Sequence, residues 1–260
     1  MSVSLLKANT SMVLGQYNIA VKYFKAYMDE NPHIPLNKEV LNQLYEAYNH
    51  LSNDKRNCIR ELESYLELLQ DSDQERIEAI TSLLYETKND LISICTEVVN
   101  IINKNLLVYV EEIPEKVLIY NMKGIYCRYM WEASNNEETC AQATKAFEEA
   151  LSLCQWNFKP SDPYLLHIAF NLTTHLNDVN DTEMAIVILK RVIQNTQEED
   201  LENYDFLKKS YIELFLKYLN EHLVRFQMIE HQKLIKTIEL MEDRLPQDAL
   251  LDDIITRRRG

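Results

Sequence analysis

Glycine and proline are scarce in this sequence, with three and six residues in a chain of 260, against averages of about 7% and 5%. So few chain breakers suit long helices and exclude the many turns of a sheet protein. Five cysteines occur, Cys58, Cys95, Cys127, Cys140 and Cys154, but none forms a CxxC pair. Their scatter excludes a recognisable disulfide or zinc framework and reads as reduced, structural thiols in a cytoplasmic protein. His167 and His175 are eight apart and belong to no HExxH or other ligand set, so they read as solvated or core-edge side chains. No Gly-rich phosphate loop, GxSxG element or paired catalytic carboxylate is found, and neither an enzyme nor a metal or cofactor is expected. Positive charge is also short: 27 basic against 41 acidic side chains give a net charge of −14. Such a surface repels nucleic acid and anionic membrane. No signal peptide opens the chain, and no apolar run nears the ~20 residues that span a bilayer.

What is present is helical periodicity. Helices are expected at about 3–14 and 17–31, divided at Gly15, and at 37–69 after Pro32 and Pro35. The next begins at Ser72–Asp73–Gln74–Glu75, a capping-box pattern, and runs to about 106. Further helices follow at 114–133, at 137–155 and from Ser161–Asp162–Pro163 onward, where an acidic cap precedes a proline suited to a first turn. Another starts after Asn180–Asp181–Thr182–Glu183, and the last covers about 204–243. No strand pattern competes. The expectation is an all-α fold, one domain of about nine antiparallel helices over residues 1–243 with a tail at 244–260. The stretch "TKAFEEALSL" (144–153) is similar to a tetratricopeptide helix, yet its Ala146 aligns with Ala185 at a spacing of 39 rather than 34. A solenoid-related array is supported; a regular repeat is not.

Within "NMKGIYCRYMWEA" (121–133), Arg128 lies among Tyr126, Tyr129 and Trp131 on a largely apolar helix. An arginine in that setting either snorkels to water or faces something negative. Asn121, Gly124 and Arg128 share a stripe at i, i+3, i+7; Asn49, Arg56 and Arg60 share another, and Asn171, Thr174 and Asp178 a third. Ile212, Leu216, Asn220 and Leu223 lie along one face of the last helix. By spacing alone these read more readily as solvated helix faces carrying ordinary charges than as the walls of a binding site.

That same stretch resembles the signature helix of the 14-3-3 proteins. "PSDPYLLHIAFNLTTHLND" (160–178) is similar to the family's second signature, and "LNKEVLNQLYEAYNHLSNDKRNCIREL" (36–62) to the segment bearing its first phosphate-binding arginine. The resemblance implies a nine-helix fold with a concave groove that binds phosphoserine or phosphothreonine segments of client proteins, a non-catalytic adaptor. It places Arg56, Arg128 and Tyr129 on the phosphate. Asn171 and Asn220 fall on residues that hold the peptide backbone, Thr174 and Asp178 on the same wall, and Leu216 and Leu223 on the apolar wall opposite.

The departures are specific. Asn49 and Asn121 replace two groove lysines, and Val224 replaces a tryptophan. Gln16, Ile19 and Glu86 replace charged residues that pair between subunits; Asp90 alone keeps its sign. The resemblance therefore implies a homodimer with weakened contacts. In the tail, Thr256 precedes Arg257, Arg258 and Arg259, a solvated terminus or a segment that binds back to a groove. The alternative function is a helical scaffold for unphosphorylated peptides, for which the missing lysines would be the reason.

Overall fold

The computed structural model describes residues 2–32, 34, 36–69, 73–199, 201 and 204–242. Among them are nine long helices and no strand: α1 (Val3–Val13), α2 (Tyr17–Glu30), α3 (Lys38–Leu68), α4 (Gln74–Ile101), α5 (Ile113–Ser134), α6 (Glu137–Asn157), α7 (Pro163–Asp178), α8 (Thr182–Gln197) and α9 (Phe206–Glu242). The all-α expectation holds. The tail 244–260, with Thr256 and its arginines, and Ser72 of the capping-box pattern lie outside the described residues.

Local chemistry sets most boundaries. Gly15 adopts a φ of 66°, a left-handed turn between α1 and α2 that favours glycine. Side-chain oxygens of Asn37, Asn136 and Asp181 accept backbone N–H groups at the starts of α3, α6 and α8. Asp162 accepts the Tyr164 N–H at 2.9 Å, just before the proline that opens α7. Asn135 ends α5 in the left-handed region with a φ of 53°. Its N–H bonds the Trp131 carbonyl at 2.7 Å.

One expectation needs correction. The helix read as continuous to about 106 becomes a π turn over Ile102–Leu106, followed by one α turn at Leu107–Tyr109. The wider turn lets Ile101, Ile102 and Leu106 all reach the core, and all three are buried. The unbroken run Gln74–Tyr109 is also long and apolar enough to cross a bilayer by length and composition alone. A core helix meets the same test, and here Leu91, Cys95 and Val98 are buried in the protein while Glu97 binds Lys25 at 2.8 Å.

The chain divides into two compact units, Met1–Asn171 and Leu172–Gly260. In the first, α1 packs on α2, α2 on α3, α3 on α4 and α4 on α5, and α5 packs most extensively on α6. Its core gathers Phe24, Leu41, Leu44, Tyr48, Leu91 and Tyr126. Gly124 permits the close approach of α5 and α6: a Cβ there would stand 2.6 Å from the Phe147 ring. In the second unit α8 packs on α9, with Ala185, Leu189, Ile212, Leu219 and Phe226 buried.

Candidate functional site

The described residues of the first unit bring two helix faces to one cluster of charge. Arg56 comes from α3, and Arg128, Tyr129 and Glu132 come from α5. The Arg56 guanidinium donates to Glu132 Oε2 through Nη2 at 3.0 Å and Nε at 3.3 Å. Arg128 Nε lies 2.9 Å from the other oxygen, Glu132 Oε1. The Arg56 guanidinium also sits 3.9 Å above the centre of the Tyr129 ring, within cation–π range. The side chains of Arg56, Arg128 and Glu132 are 22%, 18% and 28% exposed. They are open enough for a ligand and covered enough to strengthen their electrostatics.

The floor of this cluster is aromatic. Tyr126 meets Tyr129 edge to face with ring centroids 6.0 Å apart, and meets Tyr45 in the same way at 6.5 Å. Such edge-to-face pairs suit the quadrupoles of the rings. Burial raises the Tyr129 phenol above the ordinary range, although both arginines pull it down. It stays protonated at neutral pH, able to donate to an oxyanion. Two guanidiniums meeting at one carboxylate are chemically an oxyanion site, because planar N–H pairs match carboxylate and phosphate geometry alike.

The sequence left two answers for Arg128, and the structure supplies the negative one from one turn further along the same helix. Glu132 escaped the sequence reading. The available signal was its i, i+4 spacing from Arg128, which is common on helix surfaces.

The remaining sequence-derived positions fall into separate groups. Asn171 Nδ2 donates to Asn121 Oδ1 at 2.9 Å, bridging α7 and α5. Asn121 is 4% exposed. Gly124 is likewise buried against Phe147, so the Asn121–Gly124–Arg128 stripe is not a solvated face. Asn49 lies two turns before Arg56 on α3, its Oδ1 accepting from Asn53 at 3.2 Å. Arg60, one turn after Arg56, is turned to the Asn57 side chain at 2.6 Å and is exposed. In the second unit, Thr174 and Asp178 are half-buried one turn apart on α7. On α9, Asn220 donates to the Leu216 carbonyl at 2.8 Å, and Leu216 and Leu223 are half-buried. Val224 is exposed.

A family model described as 14-3-3 protein matches residues 7–227. The chain is 26% identical to 14-3-3 protein theta of Mus musculus over 193 residues, covering 72% of this chain and 78% of the relative. It is 25% identical over 192 residues to 14-3-3-like protein 1 of Caenorhabditis elegans, covering 72% and 76%. Against a 14-3-3 protein homolog of Encephalitozoon cuniculi the identity is 27% over 206 residues, covering 75% and 79%.

Proposed function

Because the chain belongs to the 14-3-3 family, a family of non-catalytic adaptors, we propose that it binds phosphoserine- or phosphothreonine-bearing segments of client proteins through Arg56, Arg128 and Tyr129. The observation that carries this reading is the convergence of both guanidiniums on Glu132. A client phosphate offers the same donors two or three oxygens and nearly twice the charge. In this reading Asn171 and Asn220 hold the client backbone, Thr174 and Asp178 line one wall of the groove, and Leu216 and Leu223 receive apolar side chains. Asn49 and Asn121 contribute no charge. The protein works in the cytoplasm.

Dimerisation goes with the family, and we place it on the first helices. Gln16 and Ile19 are exposed there; on α4, Glu86 is exposed and Asp90 is held at 2.6 Å by Lys55 of its own chain. Association then rests on apolar side chains such as Val3, Leu6, Val13 and Leu14, all more than half exposed. Such a dimer is weaker than one that adds intersubunit ion pairs.

The test is a titration with matched phosphorylated and plain peptides. Arg128→Ala should weaken phosphopeptide binding by about 2 kcal/mol or more while the helical signal persists. Equal binding of both peptides by the wild type would overturn the phosphate reading in favour of a scaffold for unphosphorylated segments.

A further inference from the structure

A second concavity lies in the first unit and shares no residue with the arginine cluster. It occupies about 670 Å³ between the start of α3, the π turn and the start of α5. That is within the ~300–1,000 Å³ typical of ligand pockets. Its floor is apolar: Leu41, Leu106 and Ile119 are at most 5% exposed. Its rim is acidic, with Glu111, Glu112 and Glu115 against one base, Lys38, among the described lining residues. Glu112, Glu115 and Ile119 follow i, i+3, i+7 into α5, so acid and floor share one helix face. No cation among the described residues pairs with any of the three carboxylates. An acid in a first turn complements the helix dipole, which accounts for Glu115; Glu111 lies outside the helix.

An apolar floor edged by unpaired carboxylates matches an aliphatic group with cations beside it. We infer that this cavity is a docking site for an unphosphorylated segment of a partner protein, one in which aliphatic residues stand next to arginines or lysines. The aliphatic side chains cover Leu41, Leu106 and Ile119, and the cations meet Glu111, Glu112 and Glu115. The mouth decides for a segment over a small molecule. Asn37, Val108, Glu111 and Glu112 line it and are exposed, whereas small ligands bury roughly 70–90% of their surface in their pockets. Charge complementarity sets the sign: the arginine cluster of the same unit suits an anion, and this rim suits cations. Exposed ion pairs are individually weak, so binding here needs the apolar contact and several charges together. Nothing in this assignment depends on the phosphate reading of the arginine cluster.

The probe is a fluorescent synthetic peptide with capped ends, leucines followed by arginines between glycines, titrated into the full chain by anisotropy. Glu111→Gln, Glu112→Gln and Glu115→Gln together keep side-chain shape and should weaken binding about tenfold. Lys38→Gln removes the opposing charge and should tighten it about twofold. Neutralising exposed carboxylates elsewhere in the unit, Glu61→Gln, Glu67→Gln and Glu148→Gln, should change it by less than about twofold. Equal loss with that second triple reduces the effect to surface charge and overturns the site. So does undiminished binding of a peptide whose leucines are replaced by glycines, or whose arginines are replaced by glutamines. Loss with Arg128→Ala but not with the first triple moves the peptide to the arginine cluster. Competition by n-butylammonium at the peptide's own concentration makes the ligand a small cation, and self-association abolished by the first triple gives the cavity to a second copy. Each of these three results overturns the partner segment.

Discussion

Glu132→Gln separates two roles that Glu132 combines. Glutamine keeps the shape and one acceptor oxygen, so one guanidinium keeps its partner, the other meets the amide NH2, and the charge is removed. In the free protein the carboxylate accepts from Arg56 at 3.0 and 3.3 Å and stands 2.9 Å from Arg128. Charge-assisted bonds contribute about 1.5–3 kcal/mol where buried, and partial exposure roughly halves that. The fold should therefore lose about 0.8–1.5 kcal/mol, read as a lower urea midpoint. Phosphate binding should move the other way. A phosphate on both guanidiniums would lie about 6 Å from the carboxylate; at an effective dielectric of about 40, repulsion is about 1.4 kcal/mol per phosphate charge before salt screening. Allowing for that screening, affinity for a phosphopeptide should rise about tenfold, the gain shrinking as salt increases. A less stable protein that binds more tightly is the expected signature, measured by paired denaturation and anisotropy titrations. If affinity falls along with stability, orientation by Glu132 outweighs its charge and the reasoning is refuted.

Asn49→Lys should place a cation two turns from Arg56 on the same face of α3, tightening phosphopeptide binding and steepening its salt dependence; unchanged affinity would show that this face does not serve the phosphate. Gly124→Ala should destabilise by about 1–2 kcal/mol in urea titration, because the 2.6 Å approach to Phe147 outweighs alanine's helix preference; a stabilised variant would mean that α5 and α6 yield freely. Ellman titration should modify Cys58 and Cys140 first and leave the buried Cys95, Cys127 and Cys154 until unfolding. Burial pushes the Cys127 thiol up to about 11 and Cys154 up to about 12. An unfolded thiol loses its proton near pH 9 and these do not, so stability should decline as pH rises above about 9.

The helices were legible because their ends carry chemistry that acts locally, such as Asp162 before Pro163 and Asn136 before α6. The π turn was not, since one extra residue over a short apolar stretch barely alters its spacing. Arg56, Arg128 and Tyr129 were singled out through resemblance, and their convergence required the fold. Glu132 was hidden for a different reason. Its i, i+4 pattern has the same form as Lys217–Glu221, an exposed pair at 4.0 Å, and only tertiary packing makes one of them part of a cluster. The Asn121–Asn171 bond joins residues 50 apart and leaves no periodic trace. Gly124 shares a stripe with two polar residues, but its role is to leave room for Phe147.

If the cluster binds a client phosphate as proposed, Glu132 also changes what it asks of that client. Arg56 and Arg128 with one carboxylate carry a single unit of positive charge, on a chain whose net charge is −14. A phosphate of about −1.5 to −2 reverses that local sign as it lands. Further acidic residues beside the phosphosite would then meet repulsion from the site and the surrounding surface alike, whereas basic flanks would be drawn in. Discrimination among phosphorylated segments can thus arise from their neighbouring residues, with the arginines merely registering that the phosphate is there.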